Sequence, residues 1–180
     1  MKAIESLEQN RGNMLFLGDY VDRGCFGIEI VLLLLTLKLS FPQHITLLRG
    51  NHETRNMTEM FNFREECIEK YDQELYDIAM ETFDRLPVAA TVNGEYLCMH
   101  GGISQIVTSL NAIDRIDRKR EPPDEECLLN DLLWADPAED DKFETDSVFN
   151  DSRGLSIYYG RNLVNKFLQS QRLKAIIRGH

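Results

Sequence analysis

Residues 15–19, Leu15-Phe16-Leu17-Gly18-Asp19, run apolar and then stop at a glycine followed by a carboxylate. The same form returns at Leu47-Leu48-Arg49-Gly50-Asn51-His52, at Leu97-Cys98-Met99-His100-Gly101-Gly102 and at Ile176-Ile177-Arg178-Gly179-His180. Each reads as a buried strand that delivers one polar side chain at its carboxyl end. In α/β sheets the ligand crevice lies outside those ends, so the four junctions place Asp, Asn and His side chains around one point. Mixed oxygen and imidazole donors suit a hydrolytic metal centre. Taken singly, each junction also reads as a surface turn or a structural histidine, because Gly, Asp and Asn are ordinary turn residues. Their joint occurrence, each after an apolar run, favours a site.

Around these junctions the elements alternate. Residues 2–9 read as helix, 14–18 as strand, 26–39 as a buried helix and 44–48 as strand. Glu65 to Leu86 has apolar residues near helical spacing, as one or two helices that end before Pro87. Val88 to Val92 and Glu95 to Met99 flank Asn93-Gly94, a pair suited to a tight hairpin turn. Residues 107–116 and 161–169 read as helices, 155–159 and 173–177 as strands. The mixture predicts an α/β domain, a mixed sheet with helices packed on it. The run Asp136 to Asp146 reads as a solvated loop, because its carboxylates follow no apolar period. His44 reads as an exposed loop residue, and Phe61, Phe63 and Trp134 as packing.

The chain of 180 residues is 43% hydrophobic, enough for one domain with its own core. Its net charge of -10, from 20 basic and 30 acidic residues, argues against nucleic acid as a partner, since phosphate backbones are bound by surplus Lys and Arg. The greasiest run, Ile28 to Leu39, is far short of the ~20 apolar residues of a membrane helix. Met1 to Asn10 has no signal-peptide core. Cys25, Cys67, Cys98 and Cys127 are scattered without a Cys-x-x-Cys and read as reduced thiols. The expected location is the cytoplasm, with the nucleus as the alternative.

Gly18-Asp19-Tyr20-Val21-Asp22-Arg23-Gly24, Leu48-Arg49-Gly50-Asn51-His52-Glu53, Met99-His100-Gly101-Gly102 and Ile177-Arg178-Gly179-His180 resemble the phosphoprotein phosphatase family of Ser/Thr phosphatases, within the metallophosphoesterase superfamily. The resemblance runs from Met14 onward. Asn56 to Phe61, Leu110 to Arg115 and Leu133 to Pro137 are most similar to the catalytic subunit of calcineurin. The family implies a metallophosphoesterase-type α/β sandwich of mixed sheets flanked by helices. It implies hydrolysis of phosphoserine and phosphothreonine in proteins by direct attack of metal-bound hydroxide, with two metal ions drawn from Mn, Fe or Zn.

By the same resemblance Asp19 bridges the metals, and Asn51, His100 and His180 complete one metal site. His52, oriented by Asp22, protonates the leaving group. Arg23, Asn51 and Arg153 bind the phosphate. Phosphoprotein substrates, a calcium-binding regulatory subunit and calmodulin would be the partners. The chemistry agrees: guanidinium forks match phosphate oxygens, and a histidine with a carboxylate partner holds a transferable proton near neutral pH.

The sequence also departs from the family. The Gly-Asp-x-His-Gly motif that gives the first metal an Asp and a His does not occur in residues 1–180, and the Ile-Arg-Gly-His motif breaks off at His180. The expectation is a partial catalytic domain over 1–180, incomplete at both ends. It would hold one whole metal site and only the bridging ligand of the other, be weak or inactive alone, and leave sheet edges unpaired. The competing expectation is a catalytically deficient fragment or pseudophosphatase that acts as a binding module. A phosphatase of small nucleotides is disfavoured by the wording of 60–86 and 110–137.

Overall fold

β1 (Met14–Phe16) and β2 (Ile45–Leu47) run parallel, from Met14 opposite Ile45 to Phe16 opposite Leu47. The structure is a computed structural model and describes residues 12–123, 125–139, 144 and 146–180. Parallel strands need a long crossover, and α1 (Gly27–Ser40) supplies it. β3 (Ala89–Val92) and β4 (Tyr96–Met99) form an antiparallel hairpin, and β8 (Ala175–Arg178) lies parallel to β4. In a third sheet β7 (Ile157–Tyr159) sits between β5 (Asp136–Pro137), parallel to it, and β6 (Ser147–Phe149), antiparallel. Helices α2 (Arg55–Met60), α3 (Phe63–Lys70) and α4 (Gln73–Arg85) separate β2 from β3. α5 (Leu110–Asp114) and α6 (Leu128–Trp134) separate β4 from β5, and α7 (Arg161–Gln171) leads into β8.

Local chemistry accounts for several of these elements. Asp72 caps α4 by accepting from Leu75 N at 2.9 Å, and the helix stops just before Pro87. Its inner face buries Tyr76, Ala79, Met80 and Phe83, a three-four spacing. Asn93 and Gly94 both take positive φ, 55° and 66°, as the hairpin turn requires. One core gathers Leu97, Met99, Ile103, Leu132, Leu133 and Phe167 between the second and third sheets and α6. Another gathers Ile28, Val31, Phe63, Tyr76, Met80 and Phe83 beneath α1, α3 and α4. Burying each such side chain stabilises by about 1.5–3 kcal/mol.

The structure differs from the sequence reading in places. The described residues form an α/β fold as expected, with three small sheets, two of them mixed, in place of one continuous sheet. The first strand ends at Phe16, because Gly18 turns the chain away at φ 94°. β2 and β4 are largely buried, but β1 and β8 are mostly half-buried. Glu65 to Leu86 resolves into α3 and α4, split at Tyr71-Asp72, and α2, α6, β5 and β6 were not foreseen. Asp136 is no solvated loop residue: it pairs in β5, and Ala138 beside it is 2% exposed. His44 is half-buried, its Nδ1 between Gly12 O and Asn13 Oδ1. The expected helix at 2–9, and residues 140–143 and 145 of the acidic run, lie outside the described residues. Among the described residues no helix is long and apolar enough to cross a membrane.

Candidate active site

The turns after β1 and β2 form one backbone unit. A Cβ on Gly18 would lie 2.4 Å from Gly50 N, and one on Gly50 would lie 2.5 Å from Asp19 N, so only glycine permits the approach. The fully buried Glu53 clasps both turns, accepting from Asp19 N at 2.8 Å, Tyr20 N at 2.7 Å and Gly50 N at 2.8 Å. Burial, and next the charge of Asp19, push the Glu53 carboxyl up to about 7 against the pull of those N–H donors. Hydrogen bonds to main-chain oxygens join the other two strand ends to this unit. His100 Nδ1 donates to Leu17 O at 2.6 Å, while Gly179 N and His180 N donate to His100 O at 3.1 and 2.9 Å.

Asp19, Asn51, His100 and His180 converge there. His100 Nε2 lies 2.9 Å from Asn51 Oδ1, 3.1 Å from His180 Nδ1 and 3.3 Å from Asp19 Oδ1. Because the His100 Nδ1 proton is committed to Leu17 O, its Nε2 presents a lone pair. That lone pair faces the oxygens of Asn51 and Asp19, which carry no proton, and His180 Nδ1, whose role depends on its tautomer. Burial, the largest cause, lowers the proton affinity of His100, and it takes His180 down to about 4. Both rings are thus in the neutral form that metals bind. One ligand atom each from Asp19, His100 and His180 fall within 4.8 Å of one another. His180 Nε2 is buried without a hydrogen-bond partner, 4.0 Å from Asp136 Oδ1. This donor set fits one metal ion.

His52 stands beside the cluster, its backbone N donating to Asp19 Oδ1 at 3.2 Å. Its Nδ1 is 2.8 Å from Asp22 Oδ2, and both residues are 3% exposed. The other oxygen of Asp22 accepts from Phe63 N at 3.1 Å, at the start of α3. With Nδ1 so engaged, Nε2 is the atom left to move a proton. The Phe61 ring meets His52 edge-on at 5.0 Å, so Phe61 touches the site, whereas Phe63 is wholly buried.

Arg23 is exposed and makes no ion pair or hydrogen bond among the described residues. Arg153 donates from Nε to Asp136 Oδ2 at 3.0 Å, and the other oxygen of Asp136 lies 4.0 Å from His180 Nε2, so Asp136 links Arg153 to the centre. Asp136 also receives Arg178 Nη2 at 2.7 Å. A cavity of about 260 Å³ opens alongside, lined by Thr54, Asn56, Glu121, Pro122, Trp134 and Gly154 among others. Trp134, read as packing, therefore also serves the cleft, and its ring lies 6.0 Å from that of His180.

The sequence reading assigned no role to several polar hubs. The wholly buried Arg49 donates to Glu53 O, Asp84 Oδ1 and the carbonyls of Arg118 and Arg120 at 2.8–3.2 Å. Arg55 adds bonds to Asp84 at 2.8 Å and Glu121 at 3.1 Å. Asp131 accepts from Ser104 Oγ at 2.5 Å and Ser156 Oγ at 2.6 Å, tying the loop after His100 to the loop after Arg153. Two local signals pointed here: an arginine that closes the Leu47-Leu48 run, and an Asn-Asp pair between the leucines of 128–133.

The sequence signature of calcineurin-like phosphoesterases matches residues 1–180. The chain is 42% identical over 175 residues to the serine/threonine-protein phosphatase 4 catalytic subunit of Kluyveromyces lactis, covering 97% of this chain and 54% of that protein. It is 43% identical over 176 residues to the phosphatase 2B catalytic subunit A1 of Saccharomyces cerevisiae, covering 92% of this chain and 32% of that protein. It is 43% identical over 169 residues to a protein phosphatase 2A catalytic subunit from Dictyostelium discoideum, covering 93% and 53%. A solved Saccharomyces cerevisiae phosphatase, described as similar to human PP5, superposes with a TM-score of 0.87 at 33% identity over 98% of this chain and 55% of that one. The chain thus spans about half the length, or less, of the relatives it matches.

Proposed function

The chain belongs to the calcineurin-like phosphoesterase family, and from that premise we propose that it acts in a metal-dependent protein serine/threonine phosphatase. The observation that carries the proposal is the buried His52–Asp22 pair, held against a cluster of four lone-pair donors. Asp19, Asn51, His100 and His180 would hold one metal ion. The proposal includes a second ion that shares Asp19, with Mn, Fe and Zn as the candidates. When bound, the metal supplies charge stabilisation to the phosphoryl oxygens and an activated water.

This chain's own residues do the rest. Arg23, unpaired, and Arg153, braced at Nε, grip the non-bridging oxygens through their terminal nitrogens. Asn51, with its oxygen turned into the cluster, has its amide N–H groups left to donate to phosphate. His52 delivers a proton from Nε2 to the departing serine or threonine oxygen. Asp22 keeps the Nδ1 proton in place and stabilises the ring in its charged form. Near-complete burial of both groups keeps competing water away from that proton.

Phosphoproteins are the proposed substrates, in cytoplasm or nucleus. The calcineurin-like wording of Asn56 to Asp77 extends the proposal to a calcium-binding regulatory subunit and calmodulin as partners of the full-length protein. Pull-downs from cell extract that are indifferent to calcium would remove that part. The central test is hydrolysis of a phosphothreonine peptide in manganese, with His52→Asn beside the parent. The variant is expected to lose 10²–10⁴-fold in rate while still binding manganese. Equal turnover by both would strip His52 of its role.

A further inference from the structure

Arg153 rides on an exposed loop, residues 151–154, yet the residue at the base of that loop, Asn150, is fully buried. Every polar group of Asn150 is engaged. Its backbone N donates to Ser156 O and its backbone O accepts from Gly154 N, each at 3.0 Å, which closes the loop. Its side-chain Oδ1 accepts from Arg153 N at 3.1 Å. Its Nδ2 donates to Asp136 Oδ2 at 3.0 Å, the same oxygen that receives Arg153 Nε at 3.0 Å. One side chain therefore fixes Arg153 twice, at the main chain directly and at the guanidinium through Asp136. The two terminal nitrogens of Arg153 have no partner among the described residues, on a side chain that is 37% exposed.

We propose that Asn150 is a positioning residue for Arg153, presetting its guanidinium for a tetrahedral oxyanion. The inference rests on the phosphatase reading, in which Arg153 grips phosphate. The physical reason is that a long, flexible arginine on an exposed loop would otherwise have to be ordered when phosphate arrives, and preorganisation removes that cost. The amide is needed at this position because one branch must accept and the other must donate. Aspartate would keep the acceptor for Arg153 N but set a second carboxylate oxygen against Asp136.

The test is calorimetric titration of inorganic phosphate into the chain at constant manganese, for the parent, Asn150→Ala, Asn150→Asp, Arg153→Ala and the Asn150→Ala/Arg153→Ala double variant. Asn150→Ala is expected to weaken phosphate binding about tenfold, as loss of buried hydrogen bonds would. Asn150→Asp should weaken it at least as much. The double variant should bind like Arg153→Ala alone, since Asn150 acts only through that arginine; a purely structural role would give no such coincidence. Manganese binding without phosphate reports on the fold, and the isosteric Asn150→Asp serves if the alanine variant unfolds. Phosphate binding within twofold of the parent in both Asn150 variants overturns the proposal. So does a further tenfold loss on top of Arg153→Ala. If instead Arg153→Ala binds phosphate like the parent, the phosphate role of Arg153 falls, and this inference with it.

Discussion

At the centre, Asp19, Asn51, His100 and His180 stand on turns that follow strands and touch through backbone, glycine against glycine and N–H against carbonyl. In the wall that carries Arg153 and Glu121, loops with little regular structure are pinned by buried polar side chains: Arg49, Asn150 and Asp131. The difference teaches where each region is vulnerable. The centre is set by close main-chain contacts clasped by one buried carboxylate, Glu53, and tolerates almost no added atom. The wall is set by a few charged or amide hubs, each of which holds two or three segments, so its weak points are single side chains.

The hardest test of that contrast is Arg49→Leu. It leaves three carbonyls, of Glu53, Arg118 and Arg120, and part of Asp84 without their buried cation, and about 3–5 kcal/mol of stability should be lost in urea denaturation. That is a large share of the ~5–15 kcal/mol a domain possesses. A loss below about 1 kcal/mol would show that the wall does not depend on its hubs.

The next, Glu53→Gln, probes the centre. It keeps the shape but turns one carboxylate oxygen into an N–H donor facing backbone N–H groups. Manganese affinity should fall about 10–100-fold, as for other residues that support metal ligands. Unchanged affinity would mean that glycine contact alone sets the Asp19 turn.

Acidity separates the two kinds of support further, in metal-free protein. His180 ionises only near 4 in the fold against 6.5 ordinarily, so in that window the unfolded chain binds the extra proton and stability falls as pH drops. Glu53 works in the opposite sense. Raised from 4.5 to about 7, it holds a proton in the fold that the unfolded chain lacks, so its contribution falls as pH rises through that range. The two offset each other between about 4.5 and 6.5. In Glu53→Gln the histidine effect loses this offset, and the melting temperature should drop more steeply than the parent's from pH 6.5 toward 4. Parallel curves would contradict the assignment. Smallest of all, Lys174→Ala removes an exposed pair with Glu95 and should shift stability by less than about 0.5 kcal/mol; a larger change would mean that surface charges, too, matter to the frame.

The centre was legible in the sequence because each of its residues follows an apolar run and a strand has a fixed direction. The wall was not. α6 escaped notice because Asn130 and Asp131 interrupt its apolar pattern: Asn130 bonds the carbonyls of Pro123 and Glu125 in the preceding loop, and the partners of Asp131, Ser104 and Ser156, are distant in sequence. Asp136 looked like one carboxylate in an acidic loop, since nothing beside it reveals that Asn150, Arg153 and Arg178 gather on it. Periodicity reports only what a residue's own element does. Hydrogen bonds between loops leave no local trace.

The parallel pairing of β4 with β8 has a consequence in time. His100 meets His180 across 80 residues, and Leu17 meets His100 across 83. Contacts so far apart in the chain carry a loop-closure cost before they reward it, and they form late. During synthesis Asp19 and Asn51 emerge long before His180 is made, so no nascent stretch offers the full ligand set. If these residues hold a metal as proposed, its capture follows the pairing of β4 with β8, and the kinetics of metal uptake would time that pairing.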